Sequence, residues 1–168
     1  MALSEEAARF AAFYREHYSL ILTTCIRRLG DRATAEDAAA EVFRVAWQRF
    51  PEQKDPTFAW LYVVVHHVVG NEYRRSSRAR ALRDRLEQVA VDAIPDEDGA
   101  EVREAMAALR PRDRELLYMA YWERLSGQEI AQVLQISVSA VWVRLSRARN
   151  ALRNALGYVS ADRDGRDG

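Results

Sequence analysis

Apolar side chains that return every three, four or seven residues constrain this chain more than anything else in it. Phe10, Tyr14, Ile21, Cys25 and Leu29 hold one face of a helix over residues 4–29. The same spacing recurs downstream, and no clear apolar–polar alternation of the strand kind interrupts it. Only seven Gly and four Pro occur in 168 residues, too few for a turn-rich β fold. Hydrophobic residues make up 49% of the chain, enough for a core. The expectation is an all-α protein of one domain or two small ones.

Punctuation residues divide the pattern. Gly30 stops the first helix. Thr34 with Asp37 resembles a capping box opening a second helix to Phe50, which Pro51 ends. Asp55–Pro56 reads as an N-cap followed by an N1 proline, starting a third helix at Thr57. Trp60, Leu61, Val64, Val65 and Val68 make its first half core-like, and "YRRSSRARALRDRL" makes its second half basic and exposed. The stretch "VDAIPDEDG" is acidic, aperiodic and holds Pro95 and Gly99, so it reads as a linker. Beyond it, Val102, Met106 and Leu109 mark a short helix, and Pro111 opens another to Glu123. Ser126 and Glu129 form a capping box for a short helix to Leu134, and Ser137 can cap the last helix, 138–156. The expected organisation is therefore a helical domain over 5–86, an acidic linker over 87–100, a second helical domain over 101–156 and a disordered tail over 157–168.

Charge is balanced in total, 25 basic against 25 acidic residues, but not in place. Trp60 to Leu86 carries six Arg against Glu72 and Asp84. Glu87 to Ala105 carries seven acids against Arg103. Ile130 to Ser160 carries four Arg and no acid. Two basic segments flanking an acidic one fit two contacts with a polyanion, joined by a segment that avoids it. Cys25, the lone cysteine, excludes an intrachain disulfide and a cysteine-based zinc cluster, and fits a reducing cytoplasm. "MALSEEAARF" lacks the features of a signal peptide, and the longest apolar run, Phe58 to Val65, is too short for membrane insertion. No nucleophile–base pair, phosphate loop or metal cluster is visible, so neither an enzyme nor a cofactor is expected.

Gln135-Ile136-Ser137 joins two helices with helix-turn-helix spacing. Ile130, Ala131 and Leu134 are expected to meet Ile136, Val141 and Leu145, with Val138, Val141, Leu145, Ala148 and Leu152 as the buried stripe. Ser139, Ala140, Val143, Arg144 and Arg147 then lie on other faces, where arginine suits phosphates or the O6/N7 edge of guanine.

"ALRPRDRELLYMAYWERLSGQEIAQVLQISVSAVWVRLSRARNAL" resembles the C-terminal promoter-reading domain of bacterial sigma factors. "TAEDAAAEVFRVAWQRF" followed by "FAWLYVVVHHVVGNEYRRSSR" resembles their N-terminal domain. Order and spacing resemble an extracytoplasmic-function (group IV) sigma factor over residues 5–156. The resemblance implies two small helical domains, a region 2-like bundle (four-helix-like) and a region 4-like helix-turn-helix. It implies binding of core RNA polymerase, through the clamp helices of its largest subunit and the flap of the second-largest. Promoter DNA would be met both as duplex and as single strand, and an anti-sigma factor would be a further partner. It implies polymerase contact through Asp37, Glu41, Arg44 and Gln48, with Phe43 as an apolar anchor. Contact with the −10 element falls to His66, His67, Asn71, Tyr73, Arg74, Arg75 and Arg78, and contact with the −35 element to Ser137, Ser139, Ala140, Trp142, Val143, Arg144 and Arg147.

Three places depart from the family's pattern. His66-His67 replaces Arg-Asn and lacks arginine's permanent charge. Gln135 stands where a glycine often occupies the turn, and a positive φ there would strain it. Ala140, Trp142 and Val143 replace a threonine, a lysine and a small polar residue. Trp142 admits three roles: packing on the domain, touching thymine methyls or sugars, or meeting a protein. These departures keep a sigma-like decoy for an anti-sigma factor in view. A helix-turn-helix repressor is the other alternative, but it leaves "EDAAAEVF" and "NEYRR" unexplained.

Overall fold

The computed structural model describes residues 2–83 and 99–157, and all their regular structure is helical. The first compact unit holds α1 (Ala2–Leu29), α2 (Arg32–Arg49), a 3-10 turn (Phe50–Glu52) and α3 (Phe58–Arg83). The second holds α4 (Gly99–Ala108), α5 (Pro111–Leu117) running into a π turn (Tyr118–Trp122), α6 (Gly127–Leu134) and α7 (Val138–Ala155). The expected linker and tail lie largely outside the described residues, and Gly99 and Ala100 already belong to α4. None of the described helices is long and apolar enough to cross a membrane.

Among the described residues, three long helices close the core of the first unit. Small residues on α2 let it approach its neighbours: Ala35, Ala39 and Ala46 are fully buried. Ile21 and Cys25 of α1 and Leu61 and Val65 of α3 meet them in one core. Phe10 holds the open end, with its ring centroid 5.1 Å from Phe50 and 4.9 Å from Trp47. Such edge-to-face pairs add about 0.5–1.5 kcal/mol each beyond the area they bury. Trp47 lies at the rim of this cluster and stays 38% exposed.

Two helix starts differ from the expected ones. Asp31, not Thr34, caps α2: its carboxylate accepts from the Thr34 N–H at 2.8 Å and from the Thr34 hydroxyl at 2.7 Å. Those bonds hold the Asp31 carboxyl below the usual carboxylate range. Gly30, at φ 77°, turns the chain so that Asp31 is delivered there. Thr57, not Asp55, caps α3, its hydroxyl accepting from the Trp60 N–H at 3.2 Å.

In the second unit Met106, Leu117, Met119, Ile130 and Val141 are buried to 1% exposure or less. α4, α5 and α6 all pack on α7. The π turn brings the Tyr118 and Trp122 rings to 5.4 Å, and Arg124 leaves it at φ 54°.

Candidate nucleic-acid interface

In the second unit the helix-turn-helix is built by three local devices. Ser126 and Glu129 close a reciprocal capping box: the Glu129 N–H donates to Ser126 Oγ at 3.2 Å, and the Ser126 N–H donates to Glu129 Oε2 at 2.7 Å. Gln135 ends α6 in the left-handed region at φ 54°, ψ 46°. Ser137 caps α7, its Oγ accepting from the Ala140 N–H at 3.1 Å. Val141, Leu145 and Ala148 turn inward against Ile130, Ala131 and Val133. Two assignments change. Val133 rather than Leu134 is the buried residue of α6, and Val138, expected in the buried stripe, is 38% exposed. Val138 is the first residue of α7, at the open end of that stripe.

Ser137, Ser139, Trp142, Val143, Arg144 and Arg147 are all exposed, and Ala140 is half-buried. No acid occurs between Val138 and Ala155. The outward surface of α7 is thus cationic and apolar together. Trp142 is 52% exposed, with its indole against Gly127. Beside it, a cleft of about 200 Å³ is bordered by Tyr121, Leu125, Ile130 and Arg149. Arg149 donates to the Tyr121 hydroxyl at 3.3 Å. Tyr121, 50% exposed, was not singled out by its spacing; the π turn that presents it has no simple sequence signature.

In the first unit the polar stripe on α2 and the basic part of α3 face one groove. Its volume is about 540 Å³. Asp37, Glu41 and Arg49 line one wall and His67, Asn71, Glu72 and Arg75 the other, over a floor of Ala38, Val45, Val64 and Val68. Arg44 grips Glu41 with two bonds, at 2.7 and 2.6 Å, holding the Glu41 carboxyl below its ordinary range and raising the guanidinium. Gln48 and Asp37 are exposed. Phe43, expected as an apolar anchor, is buried at 4% exposure in the core, its ring 4.5 Å from Tyr14. It stands beside the polar Arg44 in sequence, but Val42, Phe43 and Ala46 share the inward face of α2.

On α3, His66 is half-buried and His67 exposed, their rings 6.1 Å apart. Asn71 accepts from Arg74, and Arg75 lies 3.8 Å from the Glu72 carboxylate. The Tyr73 hydroxyl donates to the backbone carbonyl of Arg28, leaving the ring 48% exposed. The buried guanidinium of Arg28 donates in turn to the Tyr62 hydroxyl at 2.5 Å. Arg28 and Tyr62, neither singled out in sequence, thus fix the end of α1 to α3 and set the position of Tyr73. The side chain of Arg78 lies outside the described residues.

Comparison with known proteins agrees with this architecture. Residues 13–79 match the Sigma-70 region 2 family, and residues 99–152 match Sigma-70, region 4. The ECF RNA polymerase sigma factor SigL of Mycobacterium tuberculosis is 31% identical over 172 residues, covering 96% of this chain and 97% of its own. Among solved structures, the sigma factor RpoE of Bartonella quintana, in complex with the anti-sigma factor NepR, has a TM-score of 0.74 at 20% identity, over 92% of this chain and 99% of that one. CnrH, in complex with the cytosolic domain of CnrY, has a TM-score of 0.63 at 24% identity, over 90% of this chain and 89% of that one. Regions 2 and 4 in this order, with a relative matched along nearly its whole length, mean that the chain belongs to the sigma-70 family of RNA polymerase sigma factors, in its extracytoplasmic-function group.

Proposed function

We propose that the two units divide the work of transcription initiation by named surfaces. The stripe of exposed Asp37, Arg44 and Gln48 with half-buried Glu41 holds the clamp helices of core polymerase. His66, His67, Asn71, Tyr73, Arg74, Arg75 and Arg78 meet the −10 element, where opening DNA needs cations for the backbone and planar groups for an extruded base. The half-exposed ring of Tyr73 has the right chemistry to stack, and its anchored hydroxyl keeps it in place. Ser137, Ser139, Ala140, Trp142, Val143, Arg144 and Arg147 face the −35 element in the major groove, while the second unit also docks on the polymerase flap. The carrying observation is the acid-free exposed face of α7 on a well-capped helix-turn-helix.

The chain works in the cytoplasm, where core polymerase is, and an anti-sigma factor holds it inactive. The two similar solved proteins support that partner, since RpoE was solved with an anti-sigma factor and CnrH with the cytosolic domain of CnrY. A charge-reversal pair tests the division. Arg44→Glu should weaken core binding and leave promoter preference intact in whatever complex forms. Arg147→Glu should leave core binding intact and lower −35-dependent transcription by about tenfold, the scale of one lost arginine contact. The reverse pattern would overturn the assignment.

A further inference from the structure

The first two turns of α7, Val138 to Arg144, contain no Asn, Gln, Lys or acid. Successive helical residues turn by about 100°. Ser139, Val143 and Ser146 therefore share the face opposite the buried Val141, Leu145 and Ala148. Val143 sits at the centre of that face, 51% exposed, with Trp142 on one flank and Arg147 on the other. The Ser139 hydroxyl already lies 3.1 Å from Ser137 Oγ, which caps the helix. What these first two turns then offer a ligand is guanidinium and hydrocarbon, while Ser146 and Asn150 continue the face further along the helix.

The major groove sorts these two chemistries. Guanine's O6 and N7 suit arginine. Adenine's N6 and N7 call for an amide, which the first two turns of α7 lack; the first amide on this face is Asn150, two turns beyond Val143. The apolar group in the groove is the thymine C5 methyl. Within those two turns, the group suited to an A·T pair is hydrocarbon, met at the thymine methyl.

We infer that Val143, with Trp142 beside it, reads thymine methyl groups in the −35 element, so that hydrocarbon contact rather than amide hydrogen bonding selects its A·T pairs. The inference rests on the proposal that α7 enters the major groove. Duplex DNA is favoured over a protein because α7 carries four arginines and no acid from Val138 to Ala155, matching a groove walled by phosphate. Trp142 is also held ready: its indole is seated on Gly127, so the apolar wall exists before any ligand arrives.

The test uses core polymerase with the full chain on promoters randomised across the upstream element. The selected element is then rebuilt with deoxyuridine for each thymine, which removes only the methyl group. The expected result is a selected element containing thymine, and affinity falling about fourfold for each contacted methyl removed, the scale of one buried carbon. Val143→Ala should discriminate less between the thymine and deoxyuridine duplexes than the unaltered chain does. A selected element indifferent to deoxyuridine overturns the inference while leaving the groove reading standing. Selection unchanged in both Val143→Ala and Trp142→Ala assigns the face to a protein and also overturns it. No selected upstream element at all overturns the groove reading, and the inference with it.

Discussion

The indole of Trp142 lies over the backbone of Gly127 so closely that a Cβ at residue 127 would stand 2.8 Å from Trp142 Cζ2. Gly127 is the first residue of α6, so this contact joins the start of one helix to the exposed side of the next. Alanine has the better helix propensity, by about 1 kcal/mol in a helix interior. Gly127→Ala is nonetheless expected to displace Trp142 and to alter promoter selection in the same direction as Trp142→Ala. Comparing the selected elements of the two variants checks this; unaltered selection in Gly127→Ala would show that the seat does not matter.

Phe43 and Arg44 are neighbours in sequence with opposite fates. Phe43→Ala is expected to cost about 3–5 kcal/mol of stability, as for other buried aromatic truncations. Arg44→Ala, on the exposed side, should leave the melting temperature nearly unchanged while weakening core binding. Thermal melts of the two variants distinguish them.

Gln135 holds the left-handed conformation at φ 54° between α6 and α7. Replacing it by glycine should relieve on the order of 1 kcal/mol of backbone strain. Urea unfolding should show a higher midpoint for Gln135→Gly with the slope unchanged. A lower midpoint would mean that Gln135 contributes more through contacts than it costs through strain.

Cys25 is fully buried, and burial pushes its thiol up to about 12 from an ordinary 9.0, against the smaller opposing pull of Arg28. The folded state therefore favours the protonated thiol. Its contribution to stability is complete below pH 9 and is lost as pH rises from there toward 12. Cys25→Ala should flatten the alkaline loss of stability. In the native protein at neutral pH, the thiol should react with a disulfide reagent only as fast as the chain opens.

Much of this was legible in local spacing. Ser126 with Glu129, Ser137 before α7 and the strained Gln135 are devices spanning four residues or fewer, and each is found where the sequence puts it. Competing short signals were harder to rank. Thr34 and Asp55 look like caps, yet Asp31 and Thr57 fill that role, because the turn at Gly30 and the path into α3 decide which side chain reaches the free N–H groups. Phe43 shows the limit of motif matching: its place in a family motif pointed outward, while its place on α2 points into the core. Contacts distant in sequence were not legible at all. Arg28 meets Tyr62 across 34 residues and Tyr73 across 45, and no periodicity announces either bond. The seat of Trp142 on Gly127 is of the same kind, and it turns an anomalous residue into a defined wall of the candidate interface.

Transcription by core polymerase, on genomic fragments of the host, tests the central claim most directly. With the purified chain added, transcripts should begin at specific positions, each preceded by common −10 and −35 elements, and Arg147→Glu should lower the −35-dependent transcription by about tenfold. Core binding without any specific start would contradict the account and leave a decoy. DNA binding without core binding would contradict it in favour of a repressor.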